Sequence, residues 1–279
     1  DISRAALESW RAAGVTRLSL GIQSLDNEAL NFLGRDHDAA MAQRSVAEAL
    51  TVFDNLSIDL IYARPGQPQA SWKTELPEAL SLGAPHLSLY ELTIEERTAF
   101  GQRARRGELV PMDDDGQADL YELTQEVCEA RGLPAYEVSN HAASKQYQSR
   151  HNMTYWRGGD WIGIGPGAHG RLTIDGTRIA THASARPADY QLSAQTPLVP
   201  APLSGLSPLD NARELIALGL RADAGFDLER ITQITGNDVD SATLKSFIET
   251  GLVRLNGSTV SLTREGRLLA DRIAAELSP

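Results

Sequence analysis

The chain has 279 residues, enough for one large domain, or a large and a small one, around a sizeable core. Its 37 acidic and 26 basic side chains give a formal charge of −11, which repels phosphate backbones and argues against nucleic acid as a partner. A single cysteine, Cys128, leaves no disulfide framework and suits a reducing compartment such as the cytoplasm, and no apolar run reaches the roughly 18–20 residues that cross a bilayer.

Along the chain, residues 5–13 have the spacing of a helix that feeds a strand at 16–22 (TRLSLGI). A helix over 39–53, a strand over 56–62 (LSIDLIY), a helix over 72–82 and a strand over 86–92 (HLSLYEL) follow. Residues 117–130 predict another helix and 135–139 (AYEVS) a fourth strand. Short β-rich runs alternating with helical periods signal βαβ units and a parallel sheet. About four parallel strands are too few for a closed eight-stranded barrel, so a barrel that has lost its first strands is expected. A strand over 160–164 and a hairpin over 171–180 with an Asp175-Gly176 turn come next. Residues 181–207, rich in Pro, Ala and Ser, predict a surface linker. Beyond it, helices over 209–221, 228–235 and 241–250 precede a hairpin at Asn256-Gly257 and a last helix, the order of a winged-helix-like module. Its few arginines stand among acids and do not make a DNA-binding wing.

Chemistry on parallel strands sits at their C-terminal ends. Gln23 directly follows the first strand, Arg35 lies in the next loop (LGRDHD), and Asp59 lies inside the second strand, where an acid among apolar neighbours needs a polar partner. Together they suit a charged small molecule that offers a carboxylate to Arg35 and hydroxyls to the other two. Each taken alone reads more readily as a structural salt bridge or helix cap. Cys128 falls eight residues after Leu120 on the inner face of its helix and is expected in the core.

The densest segment is YEVSNHAASKQYQSRHNMTYWRGGDWIGIGPGAHGRL, with His141, His151, His169, Trp156 and Trp161. Residues 165–170 match GxGxxG literally, but a hairpin follows them, so no helix N-terminus awaits a pyrophosphate. In His151-Asn-Met-Thr-Tyr155-Trp156, an imidazole able to bind haem iron stands beside aromatic rings that offer flat apolar surface. A loop histidine that only hydrogen-bonds is the competing expectation.

Residues 16–172 resemble the radical S-adenosylmethionine haem chaperones of the HemW family, relatives of the oxygen-independent coproporphyrinogen III oxidases. The stretches that carry the likeness are RLSLGIQSLD, LGRDHD, NLSIDLIYARPGQ, HLSLYELTIE, YEVSN and HNMTYWRGGDWIGIGPGAHGRL. GLVRLNGSTVSLTREGRLLADRI resembles the family's terminal domain, so nearly the whole chain is covered. The resemblance implies an α/β fold, a partial radical-SAM (β/α) barrel over residues 1–195 with a small α+β winged-helix-like domain over 196–279. It implies that Gln23, Arg35 and Asp59 hold S-adenosylmethionine, with Arg35 on the carboxylate. HNMTYW is similar to the HNxxYW motif that separates the chaperones from the oxidases, which makes His151 the implied haem-iron ligand beside Tyr155 and Trp156. His141 or His169 are options for a second ligand.

By implication the protein is cytoplasmic, sometimes a homodimer, and passes haem to respiratory-chain proteins; coproporphyrinogen III dehydrogenation is the alternative. One departure is large. The family's CxxxCxxC segment, which holds a [4Fe–4S] cluster, has no counterpart here, so the chain is expected to be a piece of a longer protein that carries the cluster. A smaller departure is Ala63-Arg64, where relatives usually have Gly-Leu; Arg64 places a charge near the expected cofactor face.

Overall fold

The computed structural model describes residues 2–194 and 203–279, which pack as two compact units, Asp1–Gln148 and Ser149–Pro279. The domain boundary expected at residues 195–196 falls outside the described residues.

The first unit runs α1 (Arg4–Ala12), β1 (Leu18–Gln23), α2 (Asn27–Phe32), α3 (Ala39–Leu50), β2 (Leu56–Tyr62), α4 (Gln69–Ser81), β3 (His86–Glu91), α5 (Ala99–Arg105), α6 (Asp114–Ala130) and β4 (Asn140–Ala142). Side chains of Ser3, Asp26, Asp38, Thr98 and Asp113 accept from backbone N–H groups of the first turn and so fix where five of these helices begin. The strands form one sheet in the order β1-β2-β3-β4. β1, β2 and β3 are parallel, as expected, but β4 runs antiparallel to β3. The strand expected over 135–139 is therefore displaced to 140–142. The amide of Tyr136 donates to the carbonyl of Asn140, and this local turn reverses the chain before it can pair.

Register gives the sheet two unlike faces. Leu20, Ile58 and Leu87 are neighbours across three strands on one face. They pack with Leu7, Val46, Phe53, Trp72, Leu76 and Leu120 of the helices into one core, to which Cys128 also belongs. On the opposite face the rows are polar: Ser19, Ser57 and His86 in one, Gly21, Asp59, Ser88 and Asn140 in the next.

The second unit runs α7 (Arg150–Trp156), β5 (His169–Ile174), β6 (Thr177–His182), α8 (Pro187–Ala194), β7 (Leu203–Gly205), α9 (Pro208–Gly219), β8 (Phe226–Asp227), α10 (Leu228–Thr235), α11 (Ser241–Glu249), β9 (Val253–Asn256), β10 (Thr259–Leu262), α12 (Arg264–Arg267) and α13 (Ala270–Leu277). β5-β6-β7 is an antiparallel sheet, and β8-β10-β9 another, in which the Asn256-Gly257 turn closes the expected wing. Ile216, Ile231, Val260 and Ile273 centre the core of the wing and its helices. Two expectations change here. The described part of the 181–207 linker takes in the last two residues of β6, then α8 and β7, the helix opening on Pro187, whose missing N–H costs nothing in a first turn. Of the strand expected over 160–164, only Trp161 pairs, through an isolated bridge to Arg171.

Candidate functional sites

The polar face of the first unit gathers two of the three residues expected to hold a charged small molecule. β1 bulges between Gly21 and Gln23, and Gln23 takes a left-handed φ of 66°, a conformation that costs a non-glycine residue about 1–3 kcal/mol. The twist folds its side chain back over Gly21, where a Cβ would collide with the Gln23 amide nitrogen. Gly21 stands opposite Asp59 in the ladder, so the amide and the carboxylate share one face. The Asp59 carboxylate accepts from Ser19 Oγ (3.0 and 3.1 Å) and from Ser57 Oγ (3.2 Å), which supplies the polar partners its position demands.

Arg35 sits apart from both, in the loop between α2 and α3, exposed and without a side-chain hydrogen bond or ion pair among the described residues. That loop is nonetheless tied to β1, because His37 Nε2 lies 3.1 Å from the carbonyl of Ile22. Between loop and strand lies a cavity of about 630 Å³ lined in part by Ser19, Gly21, Asp36 and His37. An unengaged guanidinium for a carboxylate, and a carboxylate and an amide for hydroxyls, are a donor set that fits S-adenosylmethionine.

Arg64 does not face this site. It is buried, donates to Glu75 at 2.9 Å and to the carbonyl of Ile61 at 2.8 Å. Glu75 in turn accepts from the hydroxyl of Ser24 and from the amide of Leu25 (2.8 Å), the two residues after Gln23. The ion pair thus anchors the turn that holds Gln23 in its strained conformation.

At the other end of the polar face, His86 is fully buried. Its Nδ1 lies 2.8 Å from Ser57 Oγ and 3.3 Å from an Arg17 nitrogen, and its Nε2 lies 2.8 Å from the hydroxyl of Tyr136. Burial, Arg17 and His141 push the pKa of His86 down to about 3, and the ring is neutral. Sequence reasoning passed over Ser19, Ser57, His86 and Tyr136. The alternation in HLSLYEL was the available signal for His86, since it puts His86 and Ser88 on the face opposite Leu87 and Leu89.

In the second unit, Ser149 caps α7 and sets His151 and Tyr155 one helical turn apart on one face. The Tyr155 hydroxyl lies 2.9 Å from His151 Nε2, and the rings meet edge to face at 4.7 Å. Tyr155 meets Trp161 the same way at 4.6 Å. Arg171 and Arg178 hold the Trp161 ring, 5.7 and 5.6 Å from its centroid, and both are anchored by Glu214. The imidazole of His151 is exposed at the end of this aromatic row, with Nδ1 unengaged among the described residues. An exposed imidazole beside apolar rings fits a haem-iron ligand.

Trp156 does not join that row. Five positions after His151, its indole lies 5.8 Å from the Arg221 guanidinium and lines a different cavity, of about 290 Å³, with Leu215, Phe226 and Arg230. Of the two options for a second iron ligand, His141 is buried in the first unit with Nδ1 3.2 Å from the carbonyl of Leu133, whereas His169 is exposed in the second unit. Cys128 is buried in the first core and its thiol is pushed up to about 12, so it offers no thiolate to an iron–sulfur cluster. The cysteine content of this chain does not fit a [4Fe–4S] site. No group of three or more His, Cys, Asp or Glu side chains poised for a metal occurs among the described residues, and no described helix is long and apolar enough to cross a membrane.

Residues 206–269 match the HemN C-terminal domain. The chain is 34% identical over 307 residues to a radical S-adenosyl methionine domain-containing protein 1, mitochondrial, of Dictyostelium discoideum, covering 99% of this chain and 69% of that protein. It is 33% identical over 278 residues to the heme chaperone HemW of Bacillus subtilis, covering 98% and 72%. Among solved structures, the coproporphyrinogen III oxidase HemN of Escherichia coli, a radical SAM enzyme, superposes with a TM-score of 0.77 over 100% of this chain and 67% of that one, at 20% identity, which is a likeness of fold.

Proposed function

Since the chain belongs to the radical S-adenosylmethionine family that includes the HemW haem chaperones, we propose that it binds haem through His151 and hands it to acceptor proteins of the respiratory chain in the cytoplasm. The observation that carries this reading is the exposed imidazole of His151 at the end of a fixed row of aromatic rings. Tyr155 contributes by orienting the imidazole through its hydroxyl, and Trp161 by holding Tyr155. Trp156 supports α7 from its other side. S-Adenosylmethionine would bind at Gln23, Asp59 and Arg35, its carboxylate on Arg35; when bound with a cluster supplied from outside these residues, it brings radical chemistry. The shared polar face of Gln23 and Asp59 and the unengaged guanidinium of Arg35 support that assignment. Coproporphyrinogen oxidation rests on the fold likeness alone.

A haem titration of the chain and of His151→Ala, followed by the Soret band, tests the chaperone reading. Stoichiometric binding with a Soret band that is lost or shifted in the variant supports it. Absence of binding, or identical spectra, refutes it and leaves His151 a structural partner of Tyr155.

A further inference from the structure

His169 and His182 stand directly opposite each other on β5 and β6, the first and last residues of the hairpin ladder. Their rings are stacked, with centroids 4.1 Å apart and planes 11° from parallel. Both are exposed, and none of their four ring nitrogens has a hydrogen-bond or ion-pair partner among the described residues. Of the six histidines, the other four are otherwise engaged: His37 on Ile22, His86 on Ser57 and Tyr136, His141 on Leu133, and His151 on Tyr155.

The backbone beneath the pair is fixed. The indole of Trp161 donates to the carbonyl of His169 (3.1 Å), and the amide of Ala183 donates to the carbonyl of Ala168 (2.8 Å). Gly163 and Gly170 pack so closely that a Cβ on Gly163 would strike the His169 carbonyl and one on Gly170 the Thr181 hydroxyl. β7 pairs with β6 and completes the sheet. The stiff backbone holds the two Cα positions directly opposite each other, so ligation costs only side-chain rotamer freedom.

We infer that His169 and His182 form a two-imidazole chelate for a divalent transition-metal ion of the zinc class, separate from the haem site at His151. Axial ligands of one haem approach opposite faces of the macrocycle, whereas these side chains rise together from directly opposed positions on neighbouring strands. In the stacked arrangement the nitrogen lone pairs lie in parallel planes and do not converge, but opposed Cβ atoms about 4.5–5.5 Å apart let both rings turn about χ1 and χ2 to aim one nitrogen each at a single small ion. Imidazole donors select zinc, copper and nickel over magnesium and calcium, which take oxygen. Zinc bound here would fill the rest of its tetrahedron with water, so the site is open and exchangeable rather than structural.

Isothermal titration of the tag-free chain with zinc chloride tests this, alongside His169→Ala, His182→Ala and His151→Ala. All three residues are exposed, and circular dichroism checks that the variants fold. The expected result is one zinc ion per chain and no binding of magnesium. Zinc affinity should drop by more than about tenfold, the least that loss of even an outer-shell partner costs, in each of His169→Ala and His182→Ala, and hold in His151→Ala. No zinc binding, equal binding of magnesium, or binding that survives either hairpin substitution or moves with His151→Ala overturns the inference. The haem titration is unaffected by that outcome, so the two readings fail separately.

Discussion

Replacing His86 by phenylalanine is the most informative perturbation of the first unit. The ring is fully buried, and its native pKa of about 3 lies well below the 6.5 of an unperturbed histidine. Between these values the unfolded chain takes up a proton that the native state refuses. The stability that the neutral ring contributes is therefore complete above pH 6.5 and is lost as pH falls toward 3. The loss runs at about 1.4 kcal/mol per pH unit, so about 3 kcal/mol disappears between pH 6.5 and 4. Phenylalanine keeps the volume and cannot titrate, but leaves Arg17 and the Tyr136 hydroxyl without the ring nitrogens they contact, a cost nearly constant over this range. Urea unfolding from pH 7 to 4, with hydrogen exchange of β2 and β3 amides to report on this unit, gives the difference between the two proteins. The cost of the substitution should shrink by about 3 kcal/mol on acidification, as carboxylate titrations common to both cancel. A difference that stays flat across the series refutes the neutral, proton-refusing ring.

Glu75→Leu should destabilise the first unit by about 3–5 kcal/mol in urea unfolding, since it leaves Arg64 charged and buried with no carboxylate. Arg64→Met combined with Glu75→Leu should recover most of that loss, and a double variant as unstable as the single one would contradict it. Gly21→Ala drives a Cβ into the Gln23 amide, and equilibrium dialysis should show weaker binding of S-adenosylmethionine with the thermal transition little moved. The Cys128 thiol, buried and raised to about 12, should resist alkylation at pH 8 in the native chain and react at once in urea, as read by mass spectrometry; rapid native labelling would be inconsistent with its place in the core.

What the sequence made legible is what depends on local period. The three parallel strands, α3 and α4 between them and the wing turn at Asn256-Gly257 lie where hydrophobic spacing and turn residues place them, whereas the short α2 was not expected. β4 was misplaced because YEVSN has strand composition, while its direction is set by a turn closed between Tyr136 and Asn140, which no propensity encodes. The 181–207 segment has linker composition, but β7 is held by pairing to β6, a long-range contact.

The sites divide along the same line. Gln23, Arg35 and Asp59 were singled out because parallel-sheet chemistry gathers at strand ends, and His151, Tyr155 and Trp156 by composition and the HNxxYW resemblance in a segment expected to be a loop, which the structure shows as the helix α7. Trp156 was grouped with them by adjacency in sequence, yet at i+5 it turns to another cavity. Arg64 shows the same limit of adjacency. Its place just after β2 led to the expectation of a charge near the cofactor face, but its guanidinium follows Glu75, eleven residues on, into the interior. There the pair also reaches Ser24 and Leu25, so one buried carboxylate joins the turns after β1 and β2. A charge that looks like an intrusion on the site is thus part of what fixes Gln23 above Asp59. Its removal would act on binding through the backbone of β1 rather than through any contact with ligand.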